Sequence, residues 1–182
     1  MNLEEKPLKV WGPWGEKVTV TLLFPEERAL FFDAGSLVKE WDPLFSTTYG
    51  VGEILLEACV LGVEYITVQV PGRFLYDGGM GMLEALGVRF FDVRGRGLSG
   101  MGDNLKRVAS LDLRDLVIKP KNLGVEVVVG SGKSSSCLEK DAQHFAQVVE
   151  RFTGERVFLS HGGVGMSLEA FWGAKIINRE GF

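Results

Sequence analysis

Three short stretches place residues with chemical potential at junctions between predicted elements. In V-V-V-G-S-G-K-S, Val127 to Ser134, an apolar strand pattern passes into Gly130, Ser131, Gly132, Lys133 and Ser134. Backbone amides at such a turn, with a lysine beside them, favour an anion. The spacing excludes a Walker A loop, because Val127 stands where the first glycine of G-x-x-x-x-G-K-[ST] belongs. Two readings stand: a strand-to-helix turn capped by Ser134, Ser135 or Ser136, or a modest phosphate-binding site. In the second stretch, Asp77-Gly78-Gly79, the carboxylate is either a general base or the cap of a helix opening near Met80. In the third, His161-Gly162-Gly163, the histidine either meets an anion at a helix start or sits in a surface turn. His144, off the apolar stripe of its helix, reads as solvated. No metal-ligand spacing surrounds Cys59, Cys137 or either histidine.

The elements that position these stretches follow from periodicity. Leu8–Trp11, Lys17–Leu23 and Ala29–Phe32 form a predicted N-terminal β meander, with turns at Gly12-Pro13-Trp14-Gly15 and Pro25-Glu26-Glu27. A helix over 49–61, capped by Ser46, Thr47 or Thr48, is apolar on nearly every side and reads as deeply buried. Strands follow at 65–70, 88–93 and 125–129, with short helices at 80–86 and 104–109 and a long turn over 94–102. Leu138, Ala142, Phe145, Val149 and Phe152 mark one stripe of a long helix. Val157–Leu159 reads as a core strand, Met166–Trp172 as a helix, and Ala174–Ile177 as the closing strand. Strands alternating with helices after a meander predict a mixed α/β sheet in a single domain spanning 1–182.

The bulk properties exclude several classes. A formal net charge of −4 leaves no basic footprint for nucleic acid or acidic membranes. No apolar run approaches the ~18 residues of a membrane span. The charged N-terminus lacks the apolar core of a signal peptide, so a cytoplasmic protein with reduced thiols is expected. The 24 glycines exceed the roughly 7% average and cluster at strand-to-helix junctions, where a ligand can approach backbone. Arg94-Gly95-Arg96-Gly97 lacks aromatic interleaving and reads as a turn. The four tryptophans read as packing residues, with Trp11 and Trp14 flanking an exposed turn that suits an interface.

Five collinear segments resemble the bacterial type I glycerate kinases. They are W-G-P-W-G-E (Trp11–Glu16), F-S-T-T-Y-G-V-G-E-I-L-L-E-A (Phe45–Ala58) and D-G-G-M-G-M-L-E-A-L-G-V-R-F-F-D (Asp77–Asp92). L-K-R-V-A-S-L-D-L-R-D-L (Leu105–Leu116) and G-G-V-G-M-S-L-E-A-F-W-G-A (Gly162–Ala174) complete the set. The resemblance implies the fold of the smaller, inserted domain of these enzymes, which phosphorylate D-glycerate with ATP and Mg in a cleft between two α/β domains. The family loop G-I-G-G-S-A-T-N-D-G-G aligns with Gln69–Gly79. Gly72, Asp77, Gly78 and Gly79 match, while Pro71, Arg73, Phe74, Leu75 and Tyr76 replace small and hydroxyl residues. That refilling argues against the inherited binding mode and offers Arg73 as a new anion contact. The family's longer segment near Gly130 is shortened here, and its aspartate is gone.

These readings imply a truncated, degenerate relative that lacks kinase activity alone and serves as a ligand-binding or interaction module. The alternatives are an ATP-dependent glycerate kinase completed by a companion chain or by self-assembly, and a small phosphate-binding module using Gly130–Ser134. ATP and Mg are expected only if the family activity is retained. Besides Asp77, the ligand contacts expected are Gly72, Arg73, Gly78, Gly79, Gly130–Ser134, His161, Gly162 and Gly163. Nucleic acid, membrane and resident metal are not expected.

Overall fold

The computed structural model describes residues 4–37, 44–70, 72, 77–130 and 138–178. Its main sheet begins with the predicted meander: β1 (Glu4–Trp11), β2 (Lys17–Glu26) and β3 (Ala29–Asp33). Along β2, Val18, Val20 and Leu22 turn inward while Lys17, Thr19 and Thr21 face out, the period-two pattern of a half-buried strand. β1 lies antiparallel to β2 in unbroken register from Glu4↔Phe24 to Trp11↔Lys17. The turn expected at Pro25 comes later, because β2 runs through that residue to Glu26. A register shift between Leu23 and Glu26 accommodates the proline, which cannot donate to a regular ladder.

From β3 onward the ladder becomes parallel. β3 pairs with β4 (Tyr65–Val70), β4 with β8 (Gly124–Val129), and β8 with β9 (Lys175–Asn178), giving the order β1-β2-β3-β4-β8-β9. Leu30, Phe32, Ile66, Val68, Val70, Val125, Val127 and Val129 point from these strands into one core with the helices. The helices are α1 (Tyr49–Val60), α2 (Met80–Ala85), α3 (Glu139–Thr153) and α4 (Gly162–Trp172). The architecture is the expected mixed α/β sheet.

Several local expectations are corrected. α1 is not buried all round: Val51, Ile54, Leu55 and Ala58 face the core, whereas Val60 is 80% exposed. Its outer Glu53 and Glu57 reach Lys17 and Lys6 on the meander, so charge on one flank separates α1 from solvent. The long turn over 94–102 contains β6 (Gly97–Leu98). Together with β5 (Arg89–Phe91) and β7 (Ser110–Asp112), β6 forms a second, antiparallel sheet in the order β6-β5-β7. Strands of two or three residues are too short to display alternation. Gly102–Arg107 is a 3₁₀ helix, and Val157–Leu159 is no strand but the approach to a 3₁₀ turn over Leu159–His161. The place beside β8 belongs to β9. Phe152, assigned to the stripe of α3, is 39% exposed at the helix's last turn, while Ala142, Phe145 and Val149 are buried.

Candidate functional site

In a parallel sheet the carboxyl ends of the strands meet helix starts along one edge, where ligands bind in open α/β folds. β3, β4, β8 and β9 end here at Asp33, Val70, Val129 and Asn178. The Gly130 amide donates to the Val70 carbonyl at 2.9 Å and ties two of these ends together. α1 and α2 begin at this edge because each follows a parallel strand. α4 begins here because it runs back before β9. The edge thus gathers Gly72, Asp77, Gly78, Gly79, Gly130, His161, Gly162 and Gly163. Arg73, Ser131, Gly132, Lys133 and Ser134 lie outside the described residues.

Asp77 is 1% exposed, and its carboxylate accepts four hydrogen bonds. The Thr48 amide and hydroxyl reach Oδ2 at 2.7 and 2.8 Å, the Gly81 amide reaches Oδ2 at 3.0 Å, and the Gly79 amide reaches Oδ1 at 3.0 Å. One side chain therefore binds the amides at the starts of both α1 and α2, where aligned peptide dipoles favour negative charge. Burial pushes the Asp77 carboxyl above the ordinary carboxylate range, while the hydrogen bonds from Thr48, Gly79 and Gly81 act in the opposite sense. The arrangement spends both oxygens inside the fold.

Of the three hydroxyls offered as caps of α1, Ser46, Thr47 and Thr48, that of Thr48 does not cap it. Instead that hydroxyl donates to Asp77 and accepts from the Met82 amide at 3.0 Å, joining α1 to α2, while Thr47 Oγ1 accepts from the Tyr49 amide. The sequence motif supplied both threonines without saying which one turns inward. Close contact with α4 completes the cluster. The Ser167 hydroxyl donates to the Gly78 carbonyl at 2.8 Å. Gly79 has φ +82°, and a Cβ there would stand 2.7 Å from the Gly163 carbonyl oxygen and 2.7 Å from Ser167 Oγ. Ser46, 0% exposed, carries the one buried side-chain polar atom without a hydrogen-bond partner among the described residues.

His161 is half-buried rather than a free surface histidine. Its Nδ1 lies 2.6 Å from Glu169 Oε2, and its ring centroid is 5.3 Å from that of Phe158. Glu169 stands eight positions along the chain, a spacing with no signal in sequence. His144, read as solvated, is exposed but hydrogen-bonds through Nε2 to the Val108 carbonyl at 2.8 Å. Among the described residues no group of three or more His, Cys, Asp or Glu side chains could hold a metal. Mg-ATP requires oxygen ligands for the metal, and Asp77 is already committed. The other carboxylate at this edge, Asp33 at the end of β3, accepts from the Gly35 amide through Oδ1.

A model described as the Glycerate kinase family matches residues 1–133. The chain belongs to the glycerate kinase family. A glycerate kinase from Halalkalibacterium halodurans is 30% identical over 208 residues, covering 96% of this chain and 55% of that protein. A glycerate 2-kinase from Escherichia coli strain K12 is 27% identical, over 94% of this chain and 54% of its own length. A solved structure of a glycerate kinase 2 from Salmonella typhimurium LT2 shares the fold, with a TM-score of 0.80 at 24% identity. It covers 96% of this chain and 56% of that one. The chain thus spans about half the length of the glycerate kinases it matches. No helix among the described residues is long and apolar enough to cross a membrane.

Proposed function

We propose that this glycerate-kinase-family chain is a ligand-binding or interaction module that does not transfer phosphate by itself. The observation that carries this reading is Asp77. Phosphoryl transfer depends on positioned charge, metal and a group that orients the attacking hydroxyl. The Asp77 carboxylate is instead enclosed and hydrogen-bonded to the amides of Thr48, Gly79 and Gly81. Of the glycines at the edge, Gly130 is half-buried with its amide bound to the Val70 carbonyl, while Gly72, Gly162 and Gly163 are buried, and on this reading a small polar molecule or anion binds beside them.

The test is to incubate the purified chain with ATP, magnesium and D-glycerate and to follow ADP formation. No product above background is expected, while titration with glycerate should shift amide resonances at Gly130 and Gly163 saturably. Turnover by the chain alone, at the roughly 1–100 s⁻¹ typical of kinases, would sink the reading.

A second reading is an active glycerate kinase completed by a companion chain or by self-assembly. It is supported by the glycerate kinase from H. halodurans, which matches 96% of this chain within a protein nearly twice as long. Activity that appears only when a second polypeptide is added, or that rises steeply with protein concentration, would favour it.

A further inference from the structure

Beside the Asp77 cluster lies a cavity that neither reading uses. It measures about 230 Å³ and is lined by Trp11, Tyr49, Glu84 and Met101, with Gly12, Gly15 and Gly100 among its walls. Thr47 is its link to the cluster described above. Thr47, Tyr49 and Ser99 bring hydroxyls to the lining, Glu84 is its one ionisable carboxylate, and no Lys, Arg or His belongs to it. Glu84 is held in place because the Gly100 amide donates to its Oε2 at 2.8 Å.

We propose that this cavity binds an organic cation, an ammonium or guanidinium group on a short apolar stem. Two aromatic walls, a thioether and one fixed carboxylate suit that chemistry. The ring faces attract a cation while the apolar lining takes its stem. The Trp11 ring already attracts one cation from outside the lining, Lys17, whose Nζ lies 4.0 Å from the ring centroid. Behind this wall Glu53 accepts from the Trp11 amide and balances the charge of Lys17. Tyr49 senses the same field, since burial first, and then Glu53 and Glu84, hold its hydroxyl proton more tightly than usual. The volume is below the roughly 300 Å³ of ordinary small-molecule pockets, so one side-chain-sized group fills it.

The experiment is a titration of the isotope-labelled full chain with n-butylammonium, followed at the Gly100 amide and the Met101 methyl. A second titration uses n-butanol as the neutral counterpart. Saturable shifts with the cation are expected, and at least roughly fivefold weaker binding for the alcohol. Glu84→Gln keeps an acceptor for the Gly100 amide and removes the charge, and it should weaken cation binding about five- to tenfold. Trp11→Leu should weaken it as well and provides an independent variant if Glu84→Gln fails to fold. Absence of saturable shifts, equal binding of butanol, or unchanged affinity in a folded variant would overturn the proposal. A lysine-containing peptide in place of butylammonium distinguishes a protein side chain from a free amine as the source. None of these readouts requires glycerate or ATP, so the outcome is independent of the proposed function.

Discussion

Asp77 and Asp92 show how differently two aspartates of one motif segment are used. Asp77 joins two helix starts in the core. Asp92, 6% exposed, organises the β5–β6 hairpin, accepting from the amides of Arg96 and Arg94 and from the Arg96 side chain. The backbone hydrogen bond from Arg96 leads the causes that lower the Asp92 carboxyl to about 2. A depressed acid contributes stability above its unfolded value of about 3.9 and loses it as pH falls through about 2. Asp92→Asn should therefore lower the urea midpoint at pH 7, and the gap to the unmutated chain should close on acidification towards pH 2. A gap of constant size from pH 6 to pH 2 would contradict this. Asp77 acts with the opposite sign. Its raised carboxyl favours the folded state most below about 3.9, and that contribution diminishes as pH rises through the raised value. The amides of Gly79 and Gly81 on Asp77, and those of Arg94 and Arg96 on Asp92, are local to the letters D-G-G and F-F-D, whereas Thr48 is brought to Asp77 from 29 positions away.

The elements meet at places where only hydrogen fits. Gly79 opens α2 in a left-handed conformation and presses against the first turns of α4. Gly154 also has a positive φ, +75°, where it closes α3, yet a Cβ there would meet nothing within 4 Å. Both alanine variants incur the left-handed penalty of about 1–2 kcal/mol. Gly79→Ala must in addition displace the Gly163 carbonyl and Ser167. Chemical denaturation should therefore find Gly79→Ala less stable than Gly154→Ala by at least about 1 kcal/mol. Equal losses would mean that α2 and α4 are free to separate. The sequence marked Gly79 and Gly163 as helix-start glycines. It could not show that Gly79 is small because the Gly163 carbonyl and Ser167 lie against it.

Across the whole molecule, stability concentrates where the sheet is paired on both sides. β4 lies between β3 and β8 in full register, and Ile66 and Val68 are 0% exposed. Among the described residues β9 pairs on one side only, and its residues are half-buried or exposed. Native-state hydrogen exchange should accordingly be slowest at β4 and β8 and faster at β9 by orders of magnitude. Uniform protection across the sheet would show that something else covers the β9 edge. The same paired centre explains why the strand assignments at 65–70 and 125–129 matched closely. Long apolar runs bounded by turn residues carry their own signal. In the small β6-β5-β7 sheet, β5 lies within the strand expected at 88–93, whereas β6 and β7, of two and three residues, were missed because they are defined by partners rather than by pattern.

The sequence by itself determined the order of the larger elements, the α/β class and the family, since periodicity and collinear motifs are properties of the chain read in one dimension. It also identified the glycine-rich junctions as the edge where chemistry would be sought. Only the tertiary structure decided what the side chains at that edge do. The enclosure of Asp77 depends on donors from α1 and α2, and the pairing of His161 on a glutamate two helical turns away. The cavity walled by Trp11, Tyr49 and Glu84 draws on three separate elements. Contacts between segments far apart in the chain leave no mark on local spacing, so their chemistry appears only once the chain has folded.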